Sequence, residues 1–215
     1  MSETAKRLDS TPESYAPKDK PEIIRMAEAL CAEKVIETYV IEGVEFTLVE
    51  KQRTLYAGSY VCAPDLETEP DVEASWHFYH DNKGRIADSL TPNCMICISI
   101  NYAVPDLPCA MVHGQETSSP HQPEGIHVLE SPPSLFLRVM SSSDTWKLAK
   151  QRIGEDDPQW HMAPLFFLIR AIFCNETYGF EFISDPNHEM EYYYDDGTKG
   201  VAVPVRRIAA KAERR

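Results

Sequence analysis

The chain has 215 residues and a mass of 24.4 kDa, room for one large domain or two small ones. With 43% hydrophobic and 26% charged residues the composition is globular, which excludes whole-chain disorder and fibrous folds. Twenty-one basic against 34 acidic side chains leave a net charge of −13, a surface that repels a phosphate backbone, so nucleic-acid binding is not expected as the main task.

No apolar run approaches the roughly 20 residues of a membrane span. The polar stretch Met1 to Lys20 lacks the apolar segment of an export signal. The expectation is a cytoplasmic protein without a membrane partner. Six cysteines (Cys31, Cys62, Cys94, Cys97, Cys109, Cys174) are read as buried, unpaired thiols. On a strand Cys94 and Cys97, at i and i+3, point to opposite faces, which is wrong for two ligands of one metal. Neither a metal nor a cofactor is expected.

Residues 1–20 are expected to be a disordered lead, and 21–215 a single domain, in which 21–42 form an N-terminal extension and 43–208 the core. Pro21 suits a first helical turn, and Ile23, Met26, Ala27 and Leu30 follow at i, i+3, i+4 and i+7, an amphipathic helix. Tyr39–Ile41 and Val44–Val49 flank Glu42-Gly43, a hairpin signal. Leu55–Cys62 reads as a strand whose Gly58 marks a bulge or a close backbone approach. The acids Asp65, Glu67, Glu69, Asp71 and Glu73 read as a solvated face.

Two segments about 84 residues apart resemble each other, one holding Trp76-His77 and the other Trp160-His161. Each is read as opening a helix that leads to a strong strand, Met95–Tyr102 or Met190–Tyr194. A turn follows (Pro105-Asp106 or Asp195-Asp196-Gly197), then a short strand, Ala110–Val112 or Val201–Val205. The repeated order suggests a duplicated α+β unit with halves at 44–116 and 126–208. Met162–Cys174 is apolar nearly all round and must be buried, under the sheet or in a homodimer contact. Ile126–Leu129 and Ser134–Met140 read as strands, and Ser141–Arg152 as an inserted helix capped by Ser143 or Asp144.

There is no phosphate-binding, dinucleotide-binding or hydrolase signature in the sequence. His77 and His80 share a helix face but lack a third ligand nearby. The unusual stretch is Glu189-Met190-Glu191-Tyr192-Tyr193-Tyr194. Alternation sets Glu189, Glu191 and Tyr193 on one face and Met190, Tyr192 and Tyr194 on the other. Either the first face is solvated, or it is a pocket where a carboxylate among aromatic rings awaits a cationic ligand.

From about Val44 to Ile208 the chain resembles the GyrI-like small-molecule-binding domain, the effector-binding module of AraC-type and multidrug-sensing regulators. The matching pieces are Leu55–Ser59, Ser75–Tyr79, Cys109–Glu116, Pro123–Leu129, Ser131–Phe136, Met190–Tyr193 and Val201–Val205. The resemblance implies two pseudo-symmetric strand–helix–strand–strand halves in one curved antiparallel sheet, with helices on one face. It implies a ligand pocket near the pseudo-two-fold, with Glu191 as its deep carboxylate, Tyr193 and Trp76 as aromatic walls, and Met111 and His113 on the strand crossing its floor. Gly200-Val201-Ala202 departs from the family, which carries an acid there.

The first expectation is therefore a stand-alone binder of apolar or aromatic small molecules, cationic ones among them. Residues 1–42 are too short and polar for paired helix-turn-helix units. The basic residues Arg206, Arg207, Lys211, Arg214 and Arg215 read as a solvated terminal helix. The rivals are a hydrolase of electrophilic compounds, with Glu191 as general base and Tyr193 as its proton partner, and a gyrase-inhibitor-like interaction protein.

Overall fold

The computed structural model describes residues 33–65, 67–101, 108–158, 161–183 and 188–208. The expected N-terminal helix, Cys31, the Pro105-Asp106 turn, Trp160 and Lys211–Arg215 lie outside them. Among the described residues ten strands form one antiparallel sheet: β1 (Lys34–Ile41), β2 (Val44–Lys51), β3 (Thr54–Cys62), β4 (Cys94–Ile100), β5 (Ala110–Thr117), β6 (His127–Ser131), β7 (Ser134–Met140), β8 (Phe180–Phe182), β9 (Glu189–Tyr194) and β10 (Lys199–Arg207). Three helices accompany them: α1 (Val72–Asn82), α2 (Ser143–Ile153) and α3 (Ala163–Phe173). The fold is α+β, as expected.

The order across the sheet is β1-β2-β7-β10-β9-β4-β5-β3-β6, with β8 paired to the end of β10. The duplication is explicit in this order. In β3-α1-β4-β5 the last strand lies between the other two, and β7-α3-β9-β10 repeats the arrangement. The second strands, β4 and β9, meet antiparallel at the centre, from Cys94 opposite Tyr194 to Ser99 opposite Glu189. α1 lies over β3 and β5, and α3 over β7 and β10, equivalent strands of the two halves. α2 packs on α3 and has no counterpart, in keeping with an insertion.

One arrangement was not foreseen. β2 precedes β3 in the chain yet pairs with β7, while β6 precedes β7 yet pairs with β3. Each half thus lends its leading strand to the other. The crossing is tight: Lys51 lies opposite Ser134, and Thr54 opposite Ser131.

Local chemistry accounts for the element ends. Glu42 and Gly43 both have positive φ, 50° and 86°, as a two-residue turn between twisted strands requires. Asp71 caps α1 by accepting from the Ala74 amide at 2.9 Å. The acid-rich loop is exposed as expected, and Asp65 organises it by accepting from Glu67 and Thr68. For α2 the cap is Ser142, not Ser143 or Asp144. Its extended backbone lets Oγ reach the Thr145 amide at 3.1 Å, three residues on. Gly154, with φ 78°, closes that helix.

Trp76 lies in the first half of α1 and His161 two residues before α3, with Trp160 outside the described residues. Two further expectations are corrected. Arg206 and Arg207 belong to β10, where Glu181 and Glu37 pair with them, so the basic run does not begin as a terminal helix. Cys62 is exposed at the end of β3, while Cys94 and Cys97 are buried thiols on opposite faces of β4.

The helix face of the second half carries the larger apolar core. Leu165, Phe166, Leu168, Ile169, Ile172 and Phe173 of α3 pack against Phe46, Leu48, Leu137, Val139, Val201 and Val203. Each such side chain contributes about 1.5–3 kcal/mol of burial free energy. Under α1 the same face is small and polar, with Ala57 and Met95 beside Ser59, His113 and Gln115. The opposite face holds Tyr56, Ile96, Ile98, Phe136, Met190 and Tyr192.

Candidate functional site

Because α1 and α3 each cover the outer strands of their own half, the central pair β4 and β9 lies between them. Strand register sets a polar row that runs from beneath α1 to this central pair. Ser59, His113, Cys97 and Glu191 are consecutive cross-strand neighbours on β3, β5, β4 and β9. Side chains directly opposite in such a ladder stand about 5 Å apart, so the row is continuous.

Glu191 is half-buried. Its carboxylate accepts from the Tyr193 hydroxyl two residues on and from the Met162 amide at the entrance to α3. Burial pushes its pKa up, and those two donors offset only part of the rise. Burial also drives the Tyr193 phenol far above its usual value, with Glu191 adding to the shift, so the phenol stays a donor. Cys97, between Glu191 and His113, is held as a thiol by burial first and by the neighbouring carboxylate second.

The aromatic wall is built by α1. Trp76, 40% exposed, meets Tyr193 edge-on with ring centres 6.5 Å apart and His113 at 6.1 Å, and it leans on His80 at 4.4 Å. One turn spacing explains the last contact, since residues i and i+4 share a helix face. His113 is buried and bound to the Ser75 hydroxyl; burial, with His80 second, pushes its pKa down to about 4, so it is neutral. Lys199 on β10, directly opposite Tyr193, places its ammonium 5.8 Å from the Tyr193 ring centre.

Of the expected site residues, Glu191, Tyr193, Trp76 and His113 come together. Met111 is half-buried on the same face of β5 but two residues from His113, opposite Ser99 and Val61, at the rim of the group. Sequence reading missed Ser59, Ser75, Cys97 and the Met162 amide. Ser75 stands next to Trp76, and the helical period that exposes the indole turns Ser75 inward, a usable signal.

Glu189 shares the Glu191 face but has a different role. It is buried against Arg170 of α3, at 2.6 Å, and that guanidinium stacks 3.8 Å from the Phe182 ring centre. Of the two alternatives for this face, the solvated one therefore does not hold for Glu189. Two cavities of about 260 and 250 Å3 lie elsewhere, and neither is lined by Glu191, Tyr193 or Trp76. Among the described residues no group of three or more His, Cys, Asp and Glu side chains is placed to hold a metal.

No protein-family profile matches the chain, and no curated protein matches it. Solved structures do resemble it in outline. An integron cassette protein from the mobile metagenome of Vibrio cholerae is 14% identical, covers 75% of this chain and 95% of its own, and gives a TM-score of 0.46. SAV2435 bound to tetraphenylphosphonium is 10% identical over 75% of this chain and 93% of its own, with a TM-score of 0.47. The EcmrR C-terminal domain is 12% identical over 77% and 99%, with a TM-score of 0.46. Fold and site together define an α+β domain of duplicated halves with a carboxylate and aromatic rings at its pseudo-two-fold.

Proposed function

We propose that the protein binds aromatic, cationic small molecules in the gap between α1 and α3, as the GyrI-like resemblance of its sequence implies. The observation that carries this is Glu191, a half-buried carboxylate with a raised pKa, set beside Tyr193 and the exposed indole of Trp76. A carboxylate in such a place carries an unfavourable desolvation term that a bound cation relieves. Each aromatic face adds roughly 0.5–2 kcal/mol for a desolvated cation. The net charge of −13 draws cations toward the surface, an effect that salt screens.

Tetraphenylphosphonium, the ligand of one similar structure, supplies a suitable probe, with triphenylphosphine oxide as its neutral counterpart. Glu191→Gln keeps the shape and removes the charge. Calorimetry should show the cation weakened by roughly 1.5–3 kcal/mol and the neutral compound nearly unchanged. Wild-type affinity for the cation should rise with pH as Glu191 ionises. Equal losses for both probes would remove Glu191 from the role of anchor. Recovery of the probe unchanged after binding separates a binder from a hydrolase.

A further inference from the structure

The other face of the sheet carries a second polar centre. β9 alternates, so Tyr192 and Tyr194 point away from Glu191 and Tyr193. With Glu33, Thr91, Glu116 and Arg138 they line the cavity of about 250 Å3. Beside it lies Lys51, a lysine only 3% exposed. Its ammonium pairs with Glu116, lies 3.1 Å from Glu33 Oε1, and stands 5.6 and 5.8 Å from the ring centres of Tyr56 and Tyr192. Burial works against the lysine's charge, but Tyr192, Tyr56, Glu116 and Glu33 together outweigh it and raise the pKa well above the usual value.

The four charged groups divide unevenly. Glu116, also buried, already compensates Lys51. Glu33 bridges, one carboxylate oxygen facing Lys51 and the other facing Arg138. It reaches this place because Lys34 lies opposite Glu50, which sets residue 33 beside Lys51 at the end of the β1–β2 ladder. Glu33 and Arg138, at 20% and 23% side-chain exposure, are the two members that water reaches. Without the Glu33 carboxylate, Arg138 on the cavity wall loses this anion, and Lys51, beside the cavity, keeps Glu116.

We propose that this cavity is a binding site for small aromatic carboxylates, in which Glu33 occupies the place of the ligand's carboxylate between Lys51 and Arg138. The guanidinium offers the planar donor pair that a carboxylate prefers. The rings of Tyr192 and Tyr194, stacked at 6.5 Å with an angle of 16°, take the aromatic body of the ligand. This site is separate from the Glu191 gap, and its ligand has the opposite charge.

The test uses the full chain with 2-naphthoate and its neutral counterpart 2-naphthamide. Glu33→Gln removes the internal competitor and should tighten 2-naphthoate at least tenfold while leaving 2-naphthamide within twofold. Adding Arg138→Met should reverse the gain. Unchanged 2-naphthoate affinity in Glu33→Gln, or an equal gain for both compounds, would overturn the proposal. Wild-type protein gives a check that needs no variant: 2-naphthoate should shift the Tyr194 and Arg138 side-chain NMR signals and leave the Trp76 indole signal in place. Shifts at Trp76 alone, or none at millimolar 2-naphthoate, would overturn it. Glu191→Gln should not alter 2-naphthoate binding, which keeps failure here distinct from failure of the aromatic-cation site.

Discussion

Ser75 Oγ stands 2.8 Å from His113 Nδ1 and 2.9 Å from Ser59 Oγ, so one helix hydroxyl fastens α1 to two strands beneath it. All three residues are buried, and the contact fixes the depth at which Trp76, the next residue along α1, meets the Glu191 gap. A charged imidazole would have no compensating carboxylate among these partners.

The consequence is a pH dependence with a definite sign. His113 has a folded pKa near 4 against 6.5 for the free group, so folding favours the neutral ring. Its contribution is complete above pH 6.5 and is lost as pH falls toward 4. The scale is on the order of 3 kcal/mol. Urea melts between pH 7.5 and 4.5 should give a steep profile for wild type and a flatter one for His113→Gln. The raised carboxyls Glu189 and Glu191 act in the opposite sense and cancel in the difference. Parallel profiles would show that the imidazole is free to ionise in the fold.

Gly58 faces Gly114 across β3 and β5. A Cβ on Gly58 would lie 2.1 Å from the His113 carbonyl oxygen and 2.5 Å from the Gly114 Cα, both backbone atoms. The close-approach reading of this glycine is the correct one, and the ladder is unbroken there. Gly58→Ala should destabilise by about 3 kcal/mol, since relief requires parting the strands. Gly84→Ala, where a Cβ meets nothing within 4 Å, should stay within about 0.5 kcal/mol in the same melts.

Along α3, Ile169 is fully buried and Phe167, two residues earlier, is 43% exposed. Ile169→Ala should cost roughly 2–5 kcal/mol. Phe167→Ala should cost under about 1 kcal/mol. Denaturant titration of both separates a helix packed on the sheet from one turned the other way, which would reverse the ranking.

The sequence was most legible where the signal is local. Glu42-Gly43 announces its turn because few residues other than glycine tolerate positive φ. α3 and the alternation from Glu189 to Tyr194 declare their burial by period. The grouping of Trp76, His113, Tyr193 and Glu191 was expected from family pattern and aromatic context. Lys51 was not, because Lys-Gln-Arg after a strand reads as solvent-facing, and its partners Glu33, Glu116 and Tyr192 are distant in sequence. Glu189 with Arg170 was hidden for the same reason. Ser142 lost to its neighbours as the expected cap because three adjacent serines offer the same chemistry, and only backbone angle chooses among them.

The exchange of β2 and β6 has a bearing on how the molecule can come into being. Two detached copies of such a unit, each dependent on the other for a strand, would complete their sheets only at concentrations above their mutual dissociation constant. Here residues 118–126 tether the two, and tethering substitutes a fixed effective concentration for that dependence. Neither unit is a separable module: cutting the tether would leave β7 and β3 with open edges exposed to foreign strands. The β2–β7 and β3–β6 pairings must also close over long stretches of chain before either rewards its loop entropy, which places the molecule among slow folders.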